Sequence, residues 1–120
     1  MIKLTFCLHR LPHLSREAFQ DYWFNHHAPL VASVRDALKI RRYVQLHSLP
    51  AAEDAPFAQV RGAPGPYDGV AQLWWESLDD LASDTPEARA AGALLLEDER
   101  KFIDLARSPL WLGEEKVIFG

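Results

Sequence analysis

The sequence predicts an α+β fold of the ferredoxin-like kind: a βαββαβ chain making a four-stranded antiparallel sheet with both helices on one face. Three observations lead there. Short stretches alternate apolar and polar residues with period two, the mark of strands. Two longer segments repeat apolar residues at helical spacing. Their order along the chain is that of a split βαβ unit. The 120 residues suffice for one domain, 1–120, with a core that needs no staples.

Ile2 to His9 is the first strand, with Ile2, Leu4, Phe6 and Leu8 on one side and Lys3, Thr5, Cys7 and His9 on the other. Arg10 to Leu14 is a loop. Ser15 to Val34 then reads as an amphipathic helix: Phe19, Tyr22, Trp23, His26, Leu30 and Val34 fall within a sector of roughly 120° at about 100° per residue. Ser15 suits the N-cap, and Glu17 favours the positive end of the helix dipole. Pro29 cannot donate to the carbonyl of Asn25 and its ring crowds it, so the helix is expected to kink or restart there.

A short connection over Asp36 to Ile40 leads to a second strand, Arg41 to His47, with Val44 and Leu46 on one face and Tyr43, Gln45 and His47 on the other. Leu49 to Tyr67 holds four prolines and two glycines and is expected to be an irregular loop bordering the pocket mouth. Asp68 to Glu76 is the third strand, on which Trp74 and Trp75 alternate faces. Ser77 to Asp80 has the form of a capping box and opens a short helical piece. Thr85-Pro86 starts the second long helix, cap followed by proline, with Ala88, Ala91, Leu95, Phe102 and Ile103 as its stripe. Its far half, Glu97 to Arg100, is charged enough to break, and Ser108-Pro109 ends it. Glu115 to Phe119 is read as the fourth strand.

Composition bounds the function. A net charge of −4 argues against a nucleic-acid surface, which needs a basic field to displace phosphate counterions. Cys7 is the single cysteine, so no internal disulfide forms and a reducing, cytoplasmic setting fits. The N-terminal residues are too short and alternating for a signal peptide, and no apolar run has membrane-spanning length. Two helices cover one sheet face and leave the other bare. With Tyr43, Cys7 and one of Trp74 or Trp75 assigned to it, that face is too apolar for water, so a homodimer enclosing a cavity is expected.

The linked set LTFCLHRLPHLSREAFQDYWFNHHAPLV, RRYVQLH, YDGVAQLWWES and DERKFID resembles the EthD family over nearly the whole chain. The resemblance implies a dimeric α+β barrel with a pocket between sheet and helices. Its relatives include proteins tied to ether degradation and fungal enzymes that dehydrate or decarboxylate polyketide-derived aromatics. The family's H-x-P element maps onto His27-Ala28-Pro29 and its strand-end histidine onto His47. Gln72 stands where many members carry an acid.

Helical arithmetic puts His26 inside the stripe and His27 at its edge, whereas the resemblance singles out His27. The two readings of His27 are a proton-handling group and a histidine that satisfies carbonyls freed by the kink. His47, level with Tyr43 and Gln45, is expected to look into the cavity, where imidazole can take or give a proton near neutrality. His9 is a weaker version of the same case. Tyr43, Gln45, Gln72 and Trp74 are read as ligand-binding residues. Cys7 reads as a small hydrophobe, and Asp98, Glu99 and Asp104 as a solvated face, with the family's D-E-x-x-F-I-D run as a brace for the helix.

No metal site is expected: His26 and His27 point about 100° apart on a helix, and there is no paired-cysteine or His-x-x-x-His spacing. No cofactor motif is present either. The reading is a small-molecule-binding protein, cast as a cofactor-free lyase or isomerase that uses His47 and His27 on an apolar or aromatic substrate. Its rivals are a non-catalytic binder of such a molecule and a monooxygenase on the same fold.

Overall fold

The computed structural model describes residues 1–50 and 55–120. Strands β1 (Ile2–Leu8), β2 (Arg42–His47), β3 (Gly69–Trp75) and β4 (Leu110–Gly113) form one antiparallel sheet in the order β2-β3-β1-β4. Helices α1 (Arg16–Tyr22), α2 (Ala28–Ser33) and α5 (Pro86–Glu99) cover one face, and two short helices, α3 (Pro56–Val60) and α4 (Leu78–Leu81), sit in the connections. The fold is ferredoxin-like. Among the described residues no helix is long and apolar enough to cross a membrane.

Local chemistry sets the helix starts. Ser15 accepts from the N–H of Ala18, Ser77 from that of Asp80 and Thr85 from that of Ala88, each satisfying one free first-turn donor. The long helix does not merely kink at Pro29. Between α1 and α2 the chain widens into a π-helical turn, Trp23–His27, in which the N–H of Ala28 reaches back five residues to the carbonyl of Trp23. Pro29 has no N–H for Asn25, and a wider turn relieves the crowding its ring would cause.

The core lies between sheet and helices, around Phe6, Leu8, Phe19, Trp23 and Phe102, with a second cluster of Val31, Ile40 and Trp75. Trp23 lies so close over Gly69 that a Cβ there would fall 2.4 Å from its ring, so β3 starts on the one residue that admits the indole. Asp68, just before it, accepts from the backbone N–H of Arg10 and the guanidiniums of Arg10 and Arg16, which ties the β1–α1 loop to β3. Burial works against the Asp68 carboxylate, and these hydrogen bonds outweigh it and hold its pKa below the ordinary value.

Three sequence expectations are corrected. The fourth strand is Leu110–Gly113: Leu110 pairs with Phe6 and Leu112 with Leu4, an alternation directly behind the Ser108-Pro109 break. Glu115 to Phe119 is instead exposed and extended past the sheet, tethered where Glu115 accepts from the Trp74 indole (2.6 Å) and pairs with Lys3. Tyr43 does not share a face with Cys7. Its register partner is Leu73, which puts Tyr43, Gln45 and His47 under the helices with Leu4, Phe6 and Trp75. Finally, the Pro-rich segment contains a regular element, α3, opened by Pro56; residues 51–54 of that segment lie outside the described residues, so its part at the pocket mouth is described no further.

Candidate functional site

A cavity of about 160 Å³ lies between the sheet and the π-helical turn, α2 and α5. Leu4, Phe6, Leu73 and Trp75 floor it, and Trp23 and Val31 roof it. Its size is on the order of a cavity that holds one benzene ring. Three groups give this apolar space its chemistry: His27, Tyr43 and Glu99.

His27 is 5% exposed, whereas His26 is turned to solvent and stacks on Tyr22. The wide turn explains the choice between them. It keeps residues four apart near one line, so that His27 stays on the side of Trp23, and swings the residue three apart outward. His27 Nδ1 lies 2.7 Å from Asp98 Oδ2, and Asp98 Oδ1 accepts from the Tyr22 hydroxyl at 2.6 Å. Burial depresses the His27 pKa more than Asp98 raises it, so the ring is neutral at neutral pH. For Asp98, burial is the largest influence and acts upward, but hydrogen bonds from Tyr22 and His27 prevail and keep it anionic. A neutral imidazole beside a carboxylate must give its proton to that carboxylate, which makes Nδ1 the donor and leaves Nε2 as a lone-pair base. Nε2 makes no hydrogen bond among the described residues, and no shielded side-chain nitrogen or oxygen lacks a partner, so Nε2 opens into the cavity.

The structure corrects the expectation of a solvated face at Asp98 and Glu99. Asp98 is 8% exposed, and Glu99 lines the cavity with no hydrogen bond or ion pair among the described residues. Burial, reinforced by the Asp98 charge, pushes the Glu99 carboxyl up to about 7. A local signal did exist in the sequence. Three acids, Glu97, Asp98 and Glu99, close α5 with no base in its last turn, against the helix dipole, and a broken local rule of that kind marks functional positions.

The other candidates divide. His47 does not line the cavity: it stacks on the far side of Trp23, with ring centroids 4.6 Å apart, and desolvation lowers its pKa. It touches the site through a chain. His47 Nε2 lies 2.7 Å from Gln45 Oε1, and Gln45 Nε2 donates to the Trp23 carbonyl (3.0 Å) and to the Tyr43 hydroxyl oxygen (2.7 Å). Gln72 and Trp74 lie on the opposite sheet face, where Trp74 is flanked by Lys3 and Arg42. His9 packs on Tyr67 in a separate polar hollow with Arg10, Arg16 and Arg107. Cys7 is buried on the bare face, and desolvation raises its thiol pKa. Among the described residues no group of three or more His, Cys, Asp or Glu side chains converges on a metal position.

Fold and site together define a ferredoxin-like protein with a small apolar pocket under its helices and an Asp–His pair at the pocket wall. Residues 11–106 match the EthD domain, and the chain belongs to the EthD family. Over 120 aligned residues it is 25% identical to the conidial pigment biosynthesis dehydratase EthD of Metarhizium robertsii, covering 94% of this chain and 81% of that protein. It is similar in structure to an EthD family protein of Bacillus halodurans, with a TM-score of 0.62, 22% identity and coverage of 97% of this chain and 100% of that one. A dimeric protein of ferredoxin-like fold from Bacteroides fragilis superposes with a TM-score of 0.57 at 13% identity, covering 95% of each chain.

Proposed function

We propose that the protein is a cofactor-independent lyase that dehydrates a small, largely apolar ring compound, with His27 as the base that removes a carbon-bound proton. The observation that carries this reading is the Asp98–His27 pair with Nε2 open to an otherwise greasy cavity. Asp98 fixes the tautomer, aims the ring, and stabilises the imidazolium once the proton has moved. The relative named a dehydratase fits the same reaction class. His47, outside the cavity, is cast as a positioning residue that acts through Gln45 on Tyr43.

The working unit is a homodimer, joined through the sheet face the helices leave bare. Leu46 and Trp111 are 55% and 53% exposed there, and apolar area of that kind is costly in water. The dimeric Bacteroides protein of the same fold supports the arrangement.

The test of the reading is exchange of the α-hydrogens of cyclohexanone for deuterium, a reaction that needs a base and no leaving group. Wild type is expected to accelerate it, and His27→Gln to slow it by roughly 100- to 10,000-fold with the fold retained. A protein that binds cyclohexanone or phenol without exchanging it is a binder and no lyase.

A further inference from the structure

Glu99 and Tyr43 are the polar cavity groups that a lone base leaves unused, and their hydrogen bonding is one-sided. The Gln45 amide gives one proton to the Trp23 carbonyl and one to the Tyr43 oxygen, while its own oxygen faces the His47 ring. The polarity of the chain therefore runs from His47 through Gln45 to Tyr43. The Tyr43 oxygen is already accepting, and its proton has no acceptor among the described residues. Burial raises the Tyr43 pKa, with smaller opposing contributions from Gln45 and Trp23, so the hydroxyl stays protonated and donates toward whatever fills the cavity. Glu99 lies in the same small space without a partner among the described residues. A carboxyl so placed holds its proton near neutrality, as burial dictates.

We propose that Glu99 is the proton donor to the leaving group and Tyr43 the hydrogen-bond donor to a carbonyl, so that the cavity takes a six-membered ring ketone carrying a hydroxyl on its β carbon. This rests on the reading of His27 as the base. His27 Nε2 takes the α proton, and the C–H pair becomes the new C=C bond. The β C–O bond breaks, and its oxygen leaves as water with the Glu99 proton. Tyr43 stabilises the negative charge that gathers on the carbonyl oxygen. The products are an enone and water, with His27 protonated and Glu99 ionised, and transfer of one proton between them through solvent resets the site. Nothing is oxidised or reduced. The cavity volume limits the substrate to about one ring, with any larger group reaching out of the opening.

β-Hydroxycyclohexanone separates the roles, because its α-hydrogen exchange needs His27 and Tyr43 and only its elimination needs Glu99. Wild type is expected to catalyse both. Glu99→Gln, with an unchanged melting temperature, is expected to keep exchange and to lose elimination by at least roughly 100-fold. Tyr43→Phe is expected to lower both by about 100- to 1,000-fold. Elimination by Glu99→Gln at the wild-type rate overturns Glu99 as donor and leaves the base standing. So does equal loss of both reactions in folded Glu99→Gln, which makes the residue a shaper of the pocket. Wild type that exchanges without eliminating overturns the substrate assignment. Wild type that does neither removes the base, and this proposal with it.

Discussion

At His27 two opposed influences decide the chemistry. The cavity wall strips water from the imidazole and Asp98 offers it a charge, and desolvation wins, which keeps a base free near neutrality. Glu99 is pushed the other way, up to about 7. A base that must be neutral and an acid that must be protonated give a bell-shaped rate. Elimination should rise as pH climbs through a His27 value below the ordinary 6.5, and fall as pH passes about 7 where Glu99 ionises. The groups facing this pair are Asp98, with Tyr22 and Lys101 on its carboxylate, Arg100 beside Glu99, and Tyr43 across the cavity. The pH profile of kcat/KM checks this; exchange alone should keep the acid limb and lose the fall at higher pH. Stability follows the same signs. Asp98 and Asp68 sit below their ordinary values, so what they contribute is present above the unfolded pKa and is lost as pH falls through the folded one. His27, which resists protonation when folded, adds to the loss in acid.

The π-helical turn is the element that makes the site. In a continuous α-helix His26 falls inside the apolar stripe and His27 at its edge, so the arithmetic of the sequence favours His26, and the structure buries His27 instead. The i→i+5 bond from Ala28 to Trp23 settles it. Pro29→Ala restores an N–H for Asn25 and favours an ordinary α turn. That should leave the melting temperature unchanged or higher while His27 is rotated off Asp98, at a cost of roughly 10- to 100-fold in exchange rate. A variant that gains stability and keeps its rate would show that the wide turn is not needed. The kink was legible in the sequence because proline chemistry is local. That it would be a π turn was not, since the relief depends on what the helix packs against. The acids at the end of α5 carried a local signal, but their meaning came from His27, distant in sequence and adjacent in space.

For the whole molecule, period and order sufficed for three strands, the helix caps and the ferredoxin-like layout, which depend on neighbours along the chain. What failed depended on neighbours across the sheet. A period-two pattern says which residues share a face but not which face is covered, and Tyr43 and Cys7 were joined wrongly for that reason. Val117, Ile118 and Phe119 have strand composition but pair with no strand among the described residues, and they stand exposed. A second copy would cover the bare sheet face and give such residues a surface. Sedimentation should find a dimer at micromolar concentration, and Trp111→Glu, which puts a charge on that face, should shift it to monomer without unfolding it. A wild-type monomer would contradict the arrangement.

The central claim is that His27, held by Asp98, is a base facing an apolar cavity. Deuterium exchange into cyclohexanone, followed by NMR for wild type, His27→Gln, Asp98→Asn and His47→Gln, tests it most directly. The account predicts that exchange is lost in His27→Gln and strongly reduced in Asp98→Asn. It predicts only a modest loss in His47→Gln, which keeps a donor for Gln45. Exchange that survives in His27→Gln and disappears in His47→Gln would put the base on the other side of Trp23 and contradict the account.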